Sequence, residues 1–159
     1  MECCFICDVH LGRLARLLRM FGLDTLYDNA FTNDQLAKTA AGEQRILLSR
    51  NKAFAKDPRI HCIAIRNEDP MRQLQQVLSG VSCKLRPFTR CLRCNGLLQK
   101  ASRDSVADQI PAGTALHCHE YWQCSSCRQV FWKGSHYHKM LKLVRAYVPG
   151  FDEAAGPDN

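Results

Sequence analysis

No apolar run in this 159-residue chain approaches the roughly 18 residues that cross a bilayer, because Arg, Asp or Gly interrupts each one. No membrane helix is therefore expected. The opening MECCFICD has no basic stretch and meets Asp8 before an apolar segment can develop, so a secretory leader is not expected either. Aromatic residues are scarce at 8%, yet 46% of the chain is hydrophobic, which excludes a wholly disordered protein. That length suffices for one ordinary domain, or for a domain of about 90 residues with a small appendage that needs its own fastening. Acid is the scarcer charge: 15 Asp and Glu face 22 Lys and Arg, leaving +7. Residues 1–88 carry 13 bases and 9 acids, residues 89–150 carry 9 and 3, and the last nine residues carry three acids. The basic excess thus concentrates in the second half, and it fits either a polyanionic partner or plain solubility.

Four strand-length apolar runs, Cys3 to Cys7, Leu23 to Tyr27, Arg45 to Ser49 and Ile60 to Ile65, alternate with helical periodicity. Leu11, Leu14, Ala15, Leu18 and Phe21 form one stripe of a helix over 10–21 that Gly22 ends, with Arg13, Arg16 and Arg19 on the other side. A second helix is predicted from Thr32 to Ala41, capped by Thr32 or Asn33. A third runs from Pro70 to Gly80. This alternation predicts an α/β domain over 1–83 with a parallel sheet covered on both faces. Residues 84–89, with Pro87, read as a linker. Residues 90–148 read as a small metal-fastened module ending in a helix from His136 to Tyr147, and 149–159 as a disordered tail.

Ten cysteines are many for a reducing compartment, so their spacing matters. Cys91-Leu92-Arg93-Cys94 and Cys124-Ser125-Ser126-Cys127 form two CxxC pairs separated by 29 residues. Each pair makes a tight knuckle aiming two thiolates at one point, and two facing knuckles supply the tetrahedral sulfur set that structural Zn²⁺ prefers. With all four positions filled by cysteine, no place remains for water or substrate, so this zinc is not catalytic. Asn95-Gly96 supplies the positive-φ residues such a turn needs. A disulfide framework and a redox dithiol are the competing readings. Cys3, Cys4, Cys7, Cys62 and Cys83 sit mainly in apolar runs and read as buried thiols of an intracellular protein, cytoplasmic or nuclear. His117, Cys118 and His119 read as an exposed hairpin, and His136 and His138 as surface or RNA-contacting groups.

In a parallel sheet, functional groups gather beyond the carboxyl ends of the strands. Asp8 follows the first strand, Asp34 opens the second helix and Asn51 follows the third strand, so the three can converge there. Carboxylates at one edge can hold Mg²⁺ or Mn²⁺. The alternative makes Asp34 a helix N-terminal acid and Asp8 a turn former.

The segments Asp8-Val9-His10-Leu11-Gly12-Arg13-Leu14-Ala15-Arg16, Gly22-Leu23-Asp24-Thr25, Arg45-Ile46-Leu47-Leu48-Ser49-Arg50, Arg90-Cys91-Leu92-Arg93-Cys94-Asn95-Gly96, Cys124-Ser125-Ser126-Cys127 and Trp132-Lys133-Gly134-Ser135-His136-Tyr137 resemble, in order, the Mut7-C RNase domain family. The resemblance runs from about residue 4 to residue 146. It implies a PIN-like nuclease fold joined to a zinc ribbon, metal-dependent hydrolysis of RNA to 5′-phosphate and 3′-hydroxyl ends, and occurrence beside a 3′–5′ exonuclease domain in longer proteins. Asp8 and Asp34 match the first two acids of the PIN-like site. Where family members read Thr-Arg-Asp, this chain has Ser49-Arg50-Asn51, so one carboxylate has become an amide. Asp57 and Asp69 are substitutes outside the family position.

Three functions follow as expectations. The first is a Mg²⁺- or Mn²⁺-dependent ribonuclease whose zinc ribbon grips RNA, expected to be single-stranded. The second is an RNA-binding module with a degenerate centre, and the third a ribbon that docks an acidic protein. For RNA, Arg13, Arg16, Arg50, Arg90, Arg93, Arg128 and Lys133 are the candidate phosphate contacts. Trp132 and Tyr137 either stack on bases or pack under the ribbon.

Overall fold

A computed structural model describes residues 2–152. Its first half is a four-stranded parallel sheet of β1 (Cys4–Cys7), β2 (Asp24–Leu26), β3 (Ile46–Ser49) and β4 (Cys62–Ala64), in the order β2-β1-β3-β4. The connections are α1 (Gly12–Met20), α2 (Asn33–Gly42) and, before β4, a 3-10 turn at Lys52–Lys56; α3 (Pro70–Gly80) follows β4. Alternation along the strands separates two cores. Phe5, Cys7 and Leu48 pack with Leu14, Leu18, Leu74 and Val77 beneath α1 and α3. Ile6 and Leu47 point the other way, onto Leu36 and Ala40 of α2 and Phe54 of the 3-10 turn. Both faces are covered, which is why these strands read as nearly unbroken apolar runs.

The helix boundaries have local causes. Thr32 caps α2 in a reciprocal box: its hydroxyl accepts from the Gln35 amide, and the Gln35 side chain accepts from the Thr32 amide. Asp69 caps α3, with Pro70 at the first helical position. Gly22 ends α1 at φ +78°, and a Cβ there would lie 1.8 Å from the Arg86 carbonyl oxygen. Only glycine meets both conditions.

Residues 84–89, expected as a linker, are bonded to the end of α1: Arg86 and Phe88 amides donate to the Phe21 and Met20 carbonyls at 3.0 and 2.9 Å. Beyond them lies a three-stranded antiparallel sheet of β5 (Leu98–Ala101), β6 (Tyr121–Cys124) and β7 (Val130–Trp132), with short helices α4 (Arg103–Val106) and α5 (Ala112–Ala115) in the β5–β6 connection. Its apolar centre is small: Val106, Tyr121 and Val130. The last helix, α6 (Ser135–Tyr147), follows the ribbon in sequence yet packs on the first core through Val144, Met140 and Leu143. Tyr147 meets Phe21 edge-on with centroids 5.6 Å apart. Of the tail expected to be disordered from 149, Phe151 is half-buried with its ring 5.9 Å from Phe88, and residues 153–159 fall outside the described residues.

One expectation about the thiols needs correction. Cys3 and Cys83 are joined in a disulfide across 80 residues, both half-buried at the margin of the first core. Cys7 is wholly buried, and burial pushes its thiol up, out of the reactive range.

Candidate metal centre and nucleic-acid interface

The four knuckle sulfurs converge. Cys91, Cys94, Cys124 and Cys127 offer Sγ atoms all within 4.8 Å of one another, with Cys91 to Cys127 at 3.7 Å and Cys94 to Cys124 at 3.4 Å. A tetrahedron with Zn–S bonds of about 2.3 Å has edges of about 3.8 Å, so the set fits zinc. The turns achieve this through Asn95 at φ 73° and Arg128 at φ 64°, both left-handed. Gly96 is required for space, not for its torsion: a Cβ there would sit 2.6 Å from Ser126 Oγ and 2.7 Å from Cys124 Sγ. Burial pushes the Cys91 thiol up to about 12, and a bound cation would favour its thiolate. His117, His119, His136 and His138 are exposed, and none joins this group.

The first knuckle is anchored to the parallel sheet. Asn95 Oδ1 accepts from the Thr25 amide at 2.9 Å, and its Nδ2 donates to Asp24 Oδ1 at 3.0 Å. Asp24 also holds Arg45 at 2.6 Å and Arg90 at 3.2 Å. Burial opposes ionisation of Asp24, but the hydrogen bonds from Arg45 and Asn95 outweigh it and hold the carboxyl below its usual range. Arg19, expected on the outer side of α1 with Arg13 and Arg16, is instead only 3% exposed, because the knuckle covers that turn.

At the carboxyl edge of the sheet, Asp8 is buried and fully engaged. Its Oδ1 accepts from the His10 amide at 2.9 Å, and its Oδ2 from Ser49 Oγ at 2.6 Å and the Arg50 amide at 2.8 Å. β1 and β3 are neighbours in register, Cys7 opposite Leu48, so Asp8 and Ser49 meet where both strands end. Parallel topology brings the start of α2, with Asp34, and the 3-10 turn, with Asn51, to the same edge. Their side chains are occupied elsewhere. Asp34 pairs with Lys38 one turn along at 2.8 Å, both well exposed, and Asn51 Oδ1 caps the 3-10 turn by accepting from the Ala53 amide at 3.0 Å. Asp57 pairs with Arg59, and Asp69 caps α3. Among the described residues, the cysteine quartet is the group of three or more Cys, His, Asp or Glu side chains spaced to hold a metal. Asp8, Asp34 and Asn51 thus each have a protein partner of their own at this edge.

Three hollows lie at the junction of sheet and ribbon, and two of them gather several of the candidate RNA contacts. One, of about 820 Å³, lies between α1 and the ribbon, lined by His10, Arg13, Arg16, Arg93, Gln129 and Phe131, among others. Arg13, Arg16 and Arg93 are exposed there; Glu68, the acid in its wall, is paired with Arg50 at 3.0 Å. The other is small, about 60 Å³, and aromatic: Phe88, Trp122, Phe131, Trp132 and Tyr137 surround it with Arg90 and Lys133. Tyr137 packs on Phe88 at 4.8 Å, and Lys133 lies 5.5 Å over the Trp122 ring while pairing with Glu120 at 3.2 Å. The candidate phosphate contacts thus divide. Arg13, Arg16 and Arg93 converge on one cleft. Arg90, Lys133, Trp132 and Tyr137 gather at the other hollow, while Arg50 and Arg128 line neither. His10, Gln129 and Phe131 are wall residues that sequence pattern alone did not single out. Asp8-Val9-His10 beside an arginine-bearing helix was the available signal for the first of them.

A four-stranded parallel α/β layer, followed by a ribbon whose four cysteines are spaced to hold a metal ion, defines the class. The model for the Mut7-C RNAse domain matches residues 3–144, and the chain belongs to that family. Neither the curated proteins nor the solved structures contain a match.

Proposed function

We propose that the chain is a single-stranded RNA-binding module of nuclease descent in which gripping outweighs cutting. The observation that carries this reading is the contrast between two neighbouring places. The cleft beside α1 presents Arg13, Arg16 and Arg93 to solvent, with one paired acid in its wall. The carboxyl edge next to it holds one engaged carboxylate, Asp8, while Asp34 and Asn51 are bonded within their own turns. A polyanion is attracted by the first, and a divalent ion finds few free oxygens at the second. Phe131 offers an aromatic face within the same cleft on which an unpaired base can stack. In a longer protein carrying a 3′–5′ exonuclease domain, such a module would hold the RNA that the partner domain shortens.

A second reading, the Mg²⁺- or Mn²⁺-dependent ribonuclease, draws on Asp8 itself: a buried carboxylate fixed by the Ser49 hydroxyl at the strand ends is oriented as a first ligand would be. One gel experiment separates the two. With single-stranded RNA, the binder gives a shift in both EDTA and Mn²⁺ and no cleavage. Cleavage in Mn²⁺ that disappears in Asp8→Ala establishes the enzyme instead, and absence of both shift and cleavage removes both readings. Arg13→Ala with Arg16→Ala is expected to lower the slope of log affinity against log salt by about 1.4, the value for two lost contacts to single-stranded phosphates.

A further inference from the structure

Arg19 is the least exposed charged side chain among the described residues, and nothing in the RNA reading uses it. Its Nε donates to the Thr25 carbonyl at 2.9 Å, and its Nη1 to the carbonyls of Leu92 and Arg93 at 3.2 and 3.0 Å. No carboxylate among the described residues pairs with it. Asp24, next to Thr25 in β2, is bound to Arg45 and Arg90. A basic residue in the last turn of a helix gains from the helix dipole while remaining in water, as Lys and Arg usually do. A guanidinium buried on carbonyl oxygens alone leaves a full charge uncompensated in a place where compensation is worth several kcal/mol.

The missing anion lies in the loop that Arg19 holds. Leu92 and Arg93 are the two residues between Cys91 and Cys94, and four thiolates around one Zn²⁺ carry two net negative charges. We propose that Arg19 is the resident counter-charge of the zinc centre and the strut through which the metal-loaded knuckle is fixed to β2. Arginine suits this position and lysine suits it less well, because the planar fork reaches carbonyls of two different segments at once while keeping its charge near the sulfurs. The arrangement makes zinc occupancy a condition for order at the junction of α1 and β2, not merely within the ribbon. That junction supports the wall of the cleft carrying Arg13 and Arg16, although the proposal stands whether or not the cleft binds RNA.

The test reads zinc, not RNA. In competition with a chromophoric chelator, full-length Arg19→Gln, which keeps a side-chain N–H but drops the charge, should bind zinc about 10- to 100-fold more weakly, as supporting partners of metal ligands do when removed. Arg19→Lys should recover most of that loss. Unchanged affinity in Arg19→Gln overturns the proposal, and so does a loss in Arg19→Lys as large as in Arg19→Gln, since shape and not charge would then be at work. Should Arg19→Gln fail to fold, the parent chain decides. Its Arg19 Nε–H, observed by nitrogen-edited NMR, should exchange slowly with zinc bound and rapidly once the metal is chelated. Slow exchange that persists after chelation sinks the idea.

Discussion

Replacing Asp24 by Asn keeps the shape of the side chain and removes its charge, at a point where three donors converge. Arg45 Nη1 lies 2.6 Å from Oδ1, Asn95 Nδ2 3.0 Å from the same oxygen, and Arg90 Nη2 3.2 Å from Oδ2. The side chains of Asp24, Arg45 and Arg90 are 23%, 13% and 21% exposed. Fully buried pairs broken on one side lose about 3–5 kcal/mol, whereas exposed pairs lose about 0–1 kcal/mol. This geometry lies between, so Asp24→Asn should cost about 2 kcal/mol, or about 4–8 °C in Tm for a chain of this size. The pH dependence has a fixed sign. Because the folded carboxyl is held below its usual range, its contribution is complete above the unfolded value of about 3.9 and vanishes as pH falls through the lower folded value. Urea denaturation of zinc-loaded parent and variant at pH 7, and of both at matched pH down to 3, where protons release the metal from each alike, provides the assay, with the difference between the two chains as the readout. A difference under about 0.5 kcal/mol at pH 7, or one that grows as the solution is acidified, refutes the account of Asp24 as the anchor between sheet and knuckle.

Asn51→Asp restores the charge that the third strand's end lacks, and if that charge limits the acidic edge, Mn²⁺-dependent cleavage of single-stranded RNA rises at least about tenfold over the parent, the step a Brønsted or metal-binding gain of about 1.4 kcal/mol gives. A variant no better than the parent shows that residue 51 is not the determinant. Gly96→Ala drives a methyl group against Ser126 Oγ and Cys124 Sγ, so the zinc-loaded protein should lose about 1–3 kcal/mol in thermal denaturation. Gly42→Ala, in a helix with open space around it, should instead gain about 0.4–1 kcal/mol, and equal effects at the two positions would contradict the packing argument.

Much of the architecture was legible because each element announces itself locally. The period-3.6 stripe from Leu11 to Phe21, the Thr32 box and the Asp69-Pro70 start each predict a helix that the structure contains within a residue or two. Cysteine spacing predicted the metal quartet for the same reason: two knuckles are short-range objects, and only their meeting is long-range. What escaped notice depends on distant partners. Arg19 has the spacing of a solvent-facing residue and becomes buried only because a loop more than 70 positions later lies over it. Asn95 looks like a turn former, which it is, but its side chain also serves a strand 70 residues away. At the acidic edge, sequence could place Asp8, Asp34 and Asn51 at one end of the sheet, since parallel topology does so automatically. It could not reveal that Lys38 and the Ala53 amide would take two of the three side chains.

β2 is the outermost strand on its side of the parallel sheet. Thr25 at its centre has both outward backbone groups occupied by side chains: its N–H by Asn95 and its C=O by Arg19. A naked strand in that position would offer unsatisfied peptide groups to any other chain able to lie alongside, the usual beginning of stacked aggregates. The knuckle therefore acts as a bumper as well as a metal cage. A shortened version stopping before Cys91 would forfeit that guard together with the packing of α6 on the first core, and would leave the peptide groups of Thr25 open to pairing strand against strand.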